Sequence, residues 1–147
     1  MQITSRFTIA IHIITAIDYF QDTAKVTSNF LAGSVGANPV IVRNVMGDLK
    51  GAGIIDISQG KSGIALARDL EDITFYDVYR AVGCVSEEGL FHVHEKPNPD
   101  CPVGRNIHKA LEDELLGIQD AMETQMKGIK LSDIVQKTRQ EIEKEAI

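Results

Sequence analysis

The sequence predicts a mostly α-helical protein with one small β-hairpin, and three observations lead to this prediction. Apolar residues recur at helical spacing in several segments. Two short β-prone runs, 54–58 and 64–67, flank a glycine-bearing loop, which is typical of a hairpin. An apolar stripe over 103–125 is longer than one small domain covers. We therefore expect a winged helix-turn-helix domain with a hairpin wing, followed by a long C-terminal dimerisation helix.

The composition fits a compact protein rather than a disordered or membrane-spanning one. The chain has 147 residues, 44% of them hydrophobic, which is enough for a core. His12 interrupts the apolar N-terminal stretch, and no apolar run approaches the roughly 18 residues of a membrane span. We therefore expect no signal peptide and no membrane partner. Two cysteines do not form a disulfide framework, and we expect a cytoplasmic protein with reduced thiols.

The net charge of −6 is divided unevenly along the chain. Residues 1–68 contain six Lys/Arg and four Asp, a net charge of +2. Residues 69–147 contain the remaining nine Lys/Arg and seventeen Asp/Glu, a net charge of −8. Because DNA phosphates are attracted by the first part and repelled by the second, this asymmetry would orient the protein on DNA.

Two helices and a turn are predicted at the N-terminus. Dense apolar residues favour a nearly buried helix over 4–20, although their β-branched side chains would also suit a strand. Thr27 or Ser28 can cap a short helix that continues to about Gly33. The glycine-bracketed segment 33–36 should then form the turn to the next helix.

The next helix is the second helix of the predicted motif. Asn38 can cap it, and Pro39 falls at its first position, where a missing N–H has no cost. Gly51 and Gly53 should end it after about Leu49. Residues at helical spacing should bury its inner face: Val42, Val45, Met46 and Leu49.

Periodicity returns over 74–82, where Thr74 can cap a further helix, and fails from Gly83 to Pro102. Long segments without regular structure are often functional. This one includes or adjoins the residues Cys84, Cys101, His92 and His94.

The stripe over 103–125 predicts a long amphipathic helix that pairs with a second copy of the chain. The alternative is that it packs across the chain's own helix 4–20. Ser132 should cap a last helix. The expected dimer-interface residues are Val103, Ile107, Leu111, Leu115, Ile118 and Met122.

Six segments form an ordered set of motifs: Ser28-Asn-Phe-Leu-Ala32, Asn38-Pro39, Leu49-Lys-Gly-Ala-Gly-Ile-Ile55, Gly63-Ile-Ala-Leu-Ala-Arg68, Ile73-Thr-Phe-Tyr-Asp-Val-Tyr-Arg-Ala-Val82 and Leu131-Ser-Asp-Ile134. The set covers nearly the whole chain and resembles the Rrf-two family of bacterial winged-helix transcriptional regulators. That family includes repressors that sense iron–sulfur status, nitric oxide and cysteine supply. The resemblance implies a symmetric homodimer, held by the long helix, in which two winged domains bind the half-sites of a palindromic operator.

Two departures from the family pattern limit what the resemblance implies. The family's wing usually carries Gly-Gly-Tyr, whereas this chain has Ser62-Gly63-Ile64, so the wing's DNA contact should differ. Cluster-binding members carry three closely spaced cysteines, whereas this chain has Cys84 and Cys101, seventeen positions apart. An iron–sulfur cluster therefore lacks ligands, and we expect no cofactor. The chain is similar to the cluster-free subgroup with Asn-Pro-x-Cys-Pro-Val-Gly at this point.

The second motif helix should present its N-terminal residues to base edges in the DNA major groove. Arg can bind guanine, and Asn can bind adenine, through two hydrogen bonds each. An alternative is that Arg43 contacts phosphates only. The base-reading candidates are Asn38, Val40, Arg43 and Asn44, and the phosphate-contacting candidates are Arg6, Thr27, Ser28, Lys50 and Lys61.

The segment before the long helix suggests two further hypotheses. Cys101 falls at a helix N-terminus, where the dipole stabilises a thiolate, so it could be oxidised or pair with Cys84. The alternative is a small buried residue that fills a gap. His92 and His94, with Cys101 and His108, match a zinc site only loosely, so an ordinary loop without a metal is the prediction.

The chain has no glycine-rich phosphate loop, nucleophile elbow or paired carboxylates in a plausible pocket, which argues against an enzyme. We predict a DNA-binding transcriptional regulator, specifically a homodimeric repressor modulated by thiol oxidation or a small ligand. Its parts would be a DNA-binding domain over 1–83, a variable sensor loop over 84–102, and the dimerisation and C-terminal helices over 103–147. The alternative is a dimeric protein-interaction or adaptor module that uses the winged fold without binding DNA.

Overall fold

The computed structural model describes residues 4–57, 63–83 and 89–146. Within them the chain is mostly helical with one antiparallel hairpin, which confirms the predicted winged-helix fold with a long C-terminal helix. A short 3-10 turn precedes the fourth helix. The elements are α1 (Ser5–Phe20), α2 (Ser28–Val35), α3 (Pro39–Gly51), β1 (Ile55–Ile57), β2 (Ile64–Leu66), α4 (Phe75–Ala81), α5 (Pro102–Lys127) and α6 (Leu131–Glu145).

Side-chain caps begin α2 and α3 where the sequence predicted them. The Thr27 hydroxyl accepts a hydrogen bond from the Phe30 N–H at 3.1 Å, and Asn38 Oδ1 accepts one from the Val40 N–H at 2.8 Å. The predicted end of α2 near Gly33 is wrong, because the helix continues to Gly36, which has a φ of +73°. Left-handed backbone favours glycine, so the turn between the helices starts there.

The core lies around α1, which packs against α2, α3, α4, α6 and β2. The inner face of α3 is buried at all four predicted positions, from Val42 to Leu49. An edge-to-face contact between Phe7 and Phe75, with ring centroids 5.5 Å apart, joins α1 to α4. No polar or charged residue among those described is buried in this core.

The hairpin pairs Ile55 with Leu66 and Ile57 with Ile64. The first strand begins one residue later than predicted, and the second ends one residue earlier. The end of β2 nearest the hairpin tip is tied to the loop before α2, because the Ile64 N–H donates to the Val26 carbonyl at 3.1 Å. The hairpin tip, including Lys61, lies outside the described residues.

The junction of α4, α5 and α6 is held by two backbone hydrogen bonds. The Phe75 N–H donates to the Ile129 carbonyl at 2.9 Å, and the Leu131 N–H donates to the Ile73 carbonyl at 2.8 Å. The predicted Ser132 cap is wrong: α6 begins at Leu131, and Ser132 lies inside the helix.

The helix that packs across α1 is α6, not α5. The Arg139 guanidinium of α6 donates to the Asp18 carboxylate of α1 at 2.9 Å, and α5 contacts the domain mainly through α4. The alternative that α5 covers α1 is therefore wrong, and much of α5 stays uncovered in the single chain. No helix in the described part of the chain is both long and apolar enough to span a membrane.

Candidate nucleic-acid interface

The outer face of α3 is the candidate DNA-contacting surface. At about 100° per residue, Val40, Asn44 and Gly47 fall in one line, opposite the buried Leu49. The four predicted base-reading residues, Asn38, Val40, Arg43 and Asn44, are all exposed. Val40, Arg43 and Asn44 lie within about 100° of one another around the helix, and Asn38 is its N-cap.

Three of these side chains differ in the hydrogen-bonding groups that they can offer a base. Within the described chain, nothing forms an ion pair or hydrogen bond with the Arg43 guanidinium, so it is available to a ligand. Asn38 Oδ1 already accepts the Val40 N–H, so a two-bond contact to adenine would have to share the cap oxygen. Asn44 carries no such cap and suits adenine better.

The phosphate candidates are placed unequally. Lys50 is exposed near the end of α3, and the Thr27 hydroxyl is occupied as the α2 cap, with Ser28 beside it. The Arg6 guanidinium contacts the carboxylate of Asp48 in α3, and both side chains are partly exposed. Arg6 can reach a phosphate only by sharing or breaking that contact.

Ile41 is a residue that the sequence reasoning did not single out. It follows Val40 in the first turn of α3, and 42% of it is exposed, compared with 57% of Val40. Its position outside the buried stripe of α3 was the available signal. The first turn of α3 therefore presents two exposed aliphatic side chains, about 100° apart around the helix axis.

The predicted dimer face of α5 is apolar and uncovered over much of its length. Val103 is 68% exposed and Ile118 is 53% exposed, while Leu111 is 36% exposed. Ile107, Leu115 and Met122 are half-buried. Such a long apolar surface on a small domain indicates an interaction surface.

A folded turn precedes α5 and contains Cys101. Asn98 Oδ1 accepts the Asp100 N–H at 2.9 Å, and the Asn98 carbonyl accepts the Cys101 N–H at 3.2 Å. Arg105 donates from its guanidinium to the Pro99 carbonyl at 3.1 Å. Cys101 is half-buried, carries no disulfide and occupies the N-cap position without a side-chain cap bond. Cys84 lies outside the described residues.

An open cleft of about 800 Å³ lies between residues 90–96 and α5. The Leu90 N–H donates to Gln119 Oε1 at 2.9 Å and fixes one side of it. His94 and His108 meet edge to face, with ring centroids 4.9 Å apart, while His92 is exposed. The apolar walls are formed by Leu90, Phe91, Val93, Leu115 and Leu116.

Comparison with known proteins assigns the class. The family model that matches residues 3–137 is Rrf2, described as "Iron-dependent Transcriptional regulator". The chain therefore belongs to the Rrf2 (Rrf-two) family and is a transcriptional regulator.

Individual relatives agree with this assignment. The chain is 41% identical over 133 residues, 90% of its length, to the candidate HTH-type transcriptional regulator YwnA of Bacillus subtilis (strain 168), and it covers 96% of that protein. A crystal structure of a candidate DNA-binding protein is 36% identical, with a TM-score of 0.70, over 88% of this chain and 98% of that one. A candidate regulator from Lactobacillus plantarum, 24% identical, shares the fold with a TM-score of 0.75, over 97% of this chain and 99% of that one.

The described residues offer no donor set that fits the iron named in the family description. An iron–sulfur cluster is held chiefly by cysteine thiolates, and the chain has two cysteines. Across residues 4–57, 63–83 and 89–146, no group of three or more His, Cys, Asp or Glu side chains is placed to hold a metal ion.

Proposed function

We propose that this regulator is a homodimeric repressor that binds a palindromic DNA operator through the outer face of α3. The observation that carries the proposal is the exposed first half of α3, with an available guanidinium, an amide and two aliphatic side chains. These groups match the hydrogen-bond acceptors, the hydrogen-bond donors and the thymine methyl group that base edges present in a major groove. The net +2 charge of residues 1–68 supports the approach of this part to phosphates.

Dimerisation would follow from the uncovered stripe on α5. The helix has 26 residues, which gives a length of about 39 Å. A second copy related by a two-fold axis would cover the same stripe on both chains. The two α3 helices would then face the same side of one DNA duplex, as a palindromic site requires.

Repression is the simplest consequence of such a complex. A dimer seated across a promoter would exclude other proteins from the same DNA. A regulator of this kind acts where the chromosome is, so we place it in the cytoplasm.

The control signal would act on the turn and cleft at the start of α5. A peroxide would oxidise the Cys101 thiol to sulfenic acid and be reduced to water, and a second thiol could then condense with it, forming a disulfide and releasing water. A small ligand in the cleft beside His94 and His108 is the other route. Because the chain has only two cysteines, we infer that the signal is not a cluster held by its own thiolates.

A gel shift with DNA from upstream of the protein's own gene tests the proposal. The wild type should retard this DNA, and Arg43→Ala should abolish the shift while the dimer persists. Lys137→Ala, an exposed charge change on α6, is the control and should leave the shift unchanged. An unchanged affinity of Arg43→Ala, or no retardation by the wild type, would contradict the proposal and favour an adaptor module.

Light scattering tests the dimer separately. Ile118→Glu places a charge in the stripe and should produce monomers, whereas Thr124→Glu, on another face of α5, should not. A monomeric wild type would contradict the proposed assembly. Mass spectrometry after mild peroxide tests the thiol, and oxidative control fails if neither cysteine is modified.

A further inference from the structure

We propose that α3 reads thymine methyl groups through Val40 and Ile41, so that the operator carries thymines at defined positions of each half-site. The inference rests on the proposed function and goes further by naming the chemical feature that is read. It starts from two exposed aliphatic side chains on the first turn of α3 that no described part of the chain covers.

The position of these side chains is fixed by the helix start. Asn38 caps α3, and Pro39 occupies its first position, which places Val40 and Ile41 second and third. Both are β-branched and have restricted χ1 angles. Docking them against a flat base edge therefore costs little side-chain entropy.

The surroundings favour an apolar contact within a polyanionic partner. The first turn of α3 contains no acidic residue, and the nearest charged residue along the helix is the exposed Arg43. The one carboxylate of α3, that of Asp48, lies two turns from Val40 and is paired with Arg6. Among the natural bases, the thymine C5-methyl is the apolar group that a major groove presents. Val40 and Ile41 thus match thymine, while the cationic Arg43 matches the phosphates beside it.

The outer face of α3 also permits close approach. Gly47 has no side chain, and a Cβ atom built there would meet no neighbouring atom within 4 Å, so no side chain projects from the helix or covers it at this position. Gly47 lies two turns from Val40 on the same line. The helix can therefore lie deep enough for Val40 to contact a base edge directly.

Uracil interference tests the inference, because uracil keeps the base pair of thymine and lacks only the methyl. The wild-type protein first selects a fragment from genomic DNA, and this fragment is prepared with uracil replacing thymine at random positions. Bound and unbound DNA are then separated and cleaved at uracil, and the two cleavage patterns are compared. The α3 footprint is mapped with hydroxyl radicals. We expect uracil at one or two thymines per half-site to weaken binding about fourfold each, the value of one buried methyl.

The variants assign each thymine to a side chain. In Val40→Ala, uracil at one of these thymines should no longer weaken binding. In Ile41→Ala, the same should hold at a neighbouring thymine. Both residues are exposed, so circular dichroism should show unchanged folding. Lys50→Gln is the control: it should weaken binding to all DNAs and reduce the salt dependence, with the uracil effect kept.

Three outcomes overturn the inference. Binding by the wild type without a uracil effect inside the α3 footprint would overturn it and leave the proposed function intact. A full uracil effect in both Val40→Ala and Ile41→Ala would show that other residues read the methyl groups. Failure to select any DNA would overturn both the inference and the proposed function.

Discussion

The guanidinium of Arg6, in the first turn of α1, contacts the carboxylate of Asp48, near the end of α3. Forty-two positions separate the two residues in sequence. Each side chain is 36% exposed, so the contact lies at the edge of the candidate DNA surface. Asp48 carries the single negative charge of α3, whose other charged residues, Arg43 and Lys50, are cations.

The Asp48→Asn variant should bind DNA about threefold to tenfold more tightly, because it removes that charge and releases Arg6. The slope of log K against log salt should steepen by about one unit, as expected for one additional phosphate contact. Stability should fall by less than about 1 kcal/mol, since the pair is partly solvated. Fluorescence anisotropy at several salt concentrations measures both effects. Asp120→Asn is the matched control, and equal behaviour of the two variants would contradict the prediction.

The Gly63→Ala variant should lower the free energy of unfolding by about 2 kcal/mol or more. Gly63 has a φ of +66°, and a Cβ there would lie 2.6 Å from the Val26 carbonyl oxygen. Gly33→Ala is the matched control, because Gly33 lies inside α2 with no atom within 4 Å of a built Cβ. It should raise stability by about 0.5–1 kcal/mol. Urea unfolding measures both, and similar values would refute the assigned role of Gly63.

The Gly104→Ala variant should disrupt the turn at the start of α5. A Cβ at Gly104 would collide with the backbone of Asn98, whereas a Cβ at Gly117 in the same helix would meet nothing within 4 Å. We expect a loss of about 1–3 kcal/mol for Gly104→Ala. Gly117→Ala should gain up to about 1 kcal/mol. Hydrogen exchange at the amides of Cys101 and Arg105 should accelerate in the first variant alone, and unchanged exchange there would count against the prediction.

The Thr74→Ala variant should destabilise the protein by about 1 kcal/mol, because it removes one half of a capping box. The Thr74 hydroxyl accepts the Asp77 N–H at 3.2 Å, and the Asp77 carboxylate accepts the Thr74 N–H at 2.9 Å. Thr74→Ser keeps the hydroxyl and should retain most of the stability. Thermal unfolding compares the variants, and an equal loss in both would show that the methyl group matters rather than the cap.

Features determined by neighbours in sequence were predictable. The caps Thr27, Asn38 and Thr74, and the inner face of α3, follow from residues a few positions apart. The end of α2 was not predictable in this way, because Gly33 and Gly36 are both able to end a helix. Only the backbone conformation shows that Gly36 does so.

Features set by distant residues were missed. The start of α6 follows from the hydrogen bond between Leu131 and Ile73, which no local pattern contains. The pairing of Arg6 with Asp48 depends on how α1 crosses α3, so the sequence alone identifies Arg6 as a candidate phosphate contact and does not reveal its carboxylate partner. At the candidate DNA surface, periodicity identified the buried face of α3, and the exposure of Ile41 could have been predicted from its position outside that face.

The junction between α4, α5 and α6 has a mechanical consequence. Two backbone hydrogen bonds, from Phe75 to Ile129 and from Leu131 to Ile73, join the end of α5 to the domain as a stiff joint. Because α5 is long and fixed to the domain at one end, a small change in the orientation of α5 would displace the whole domain. In a dimer built on α5, the two copies of α3 would keep a fixed separation and a fixed rotation relative to each other around the DNA axis. Five extra base pairs at the operator centre, half a turn of the duplex, would place one half-site on the wrong side.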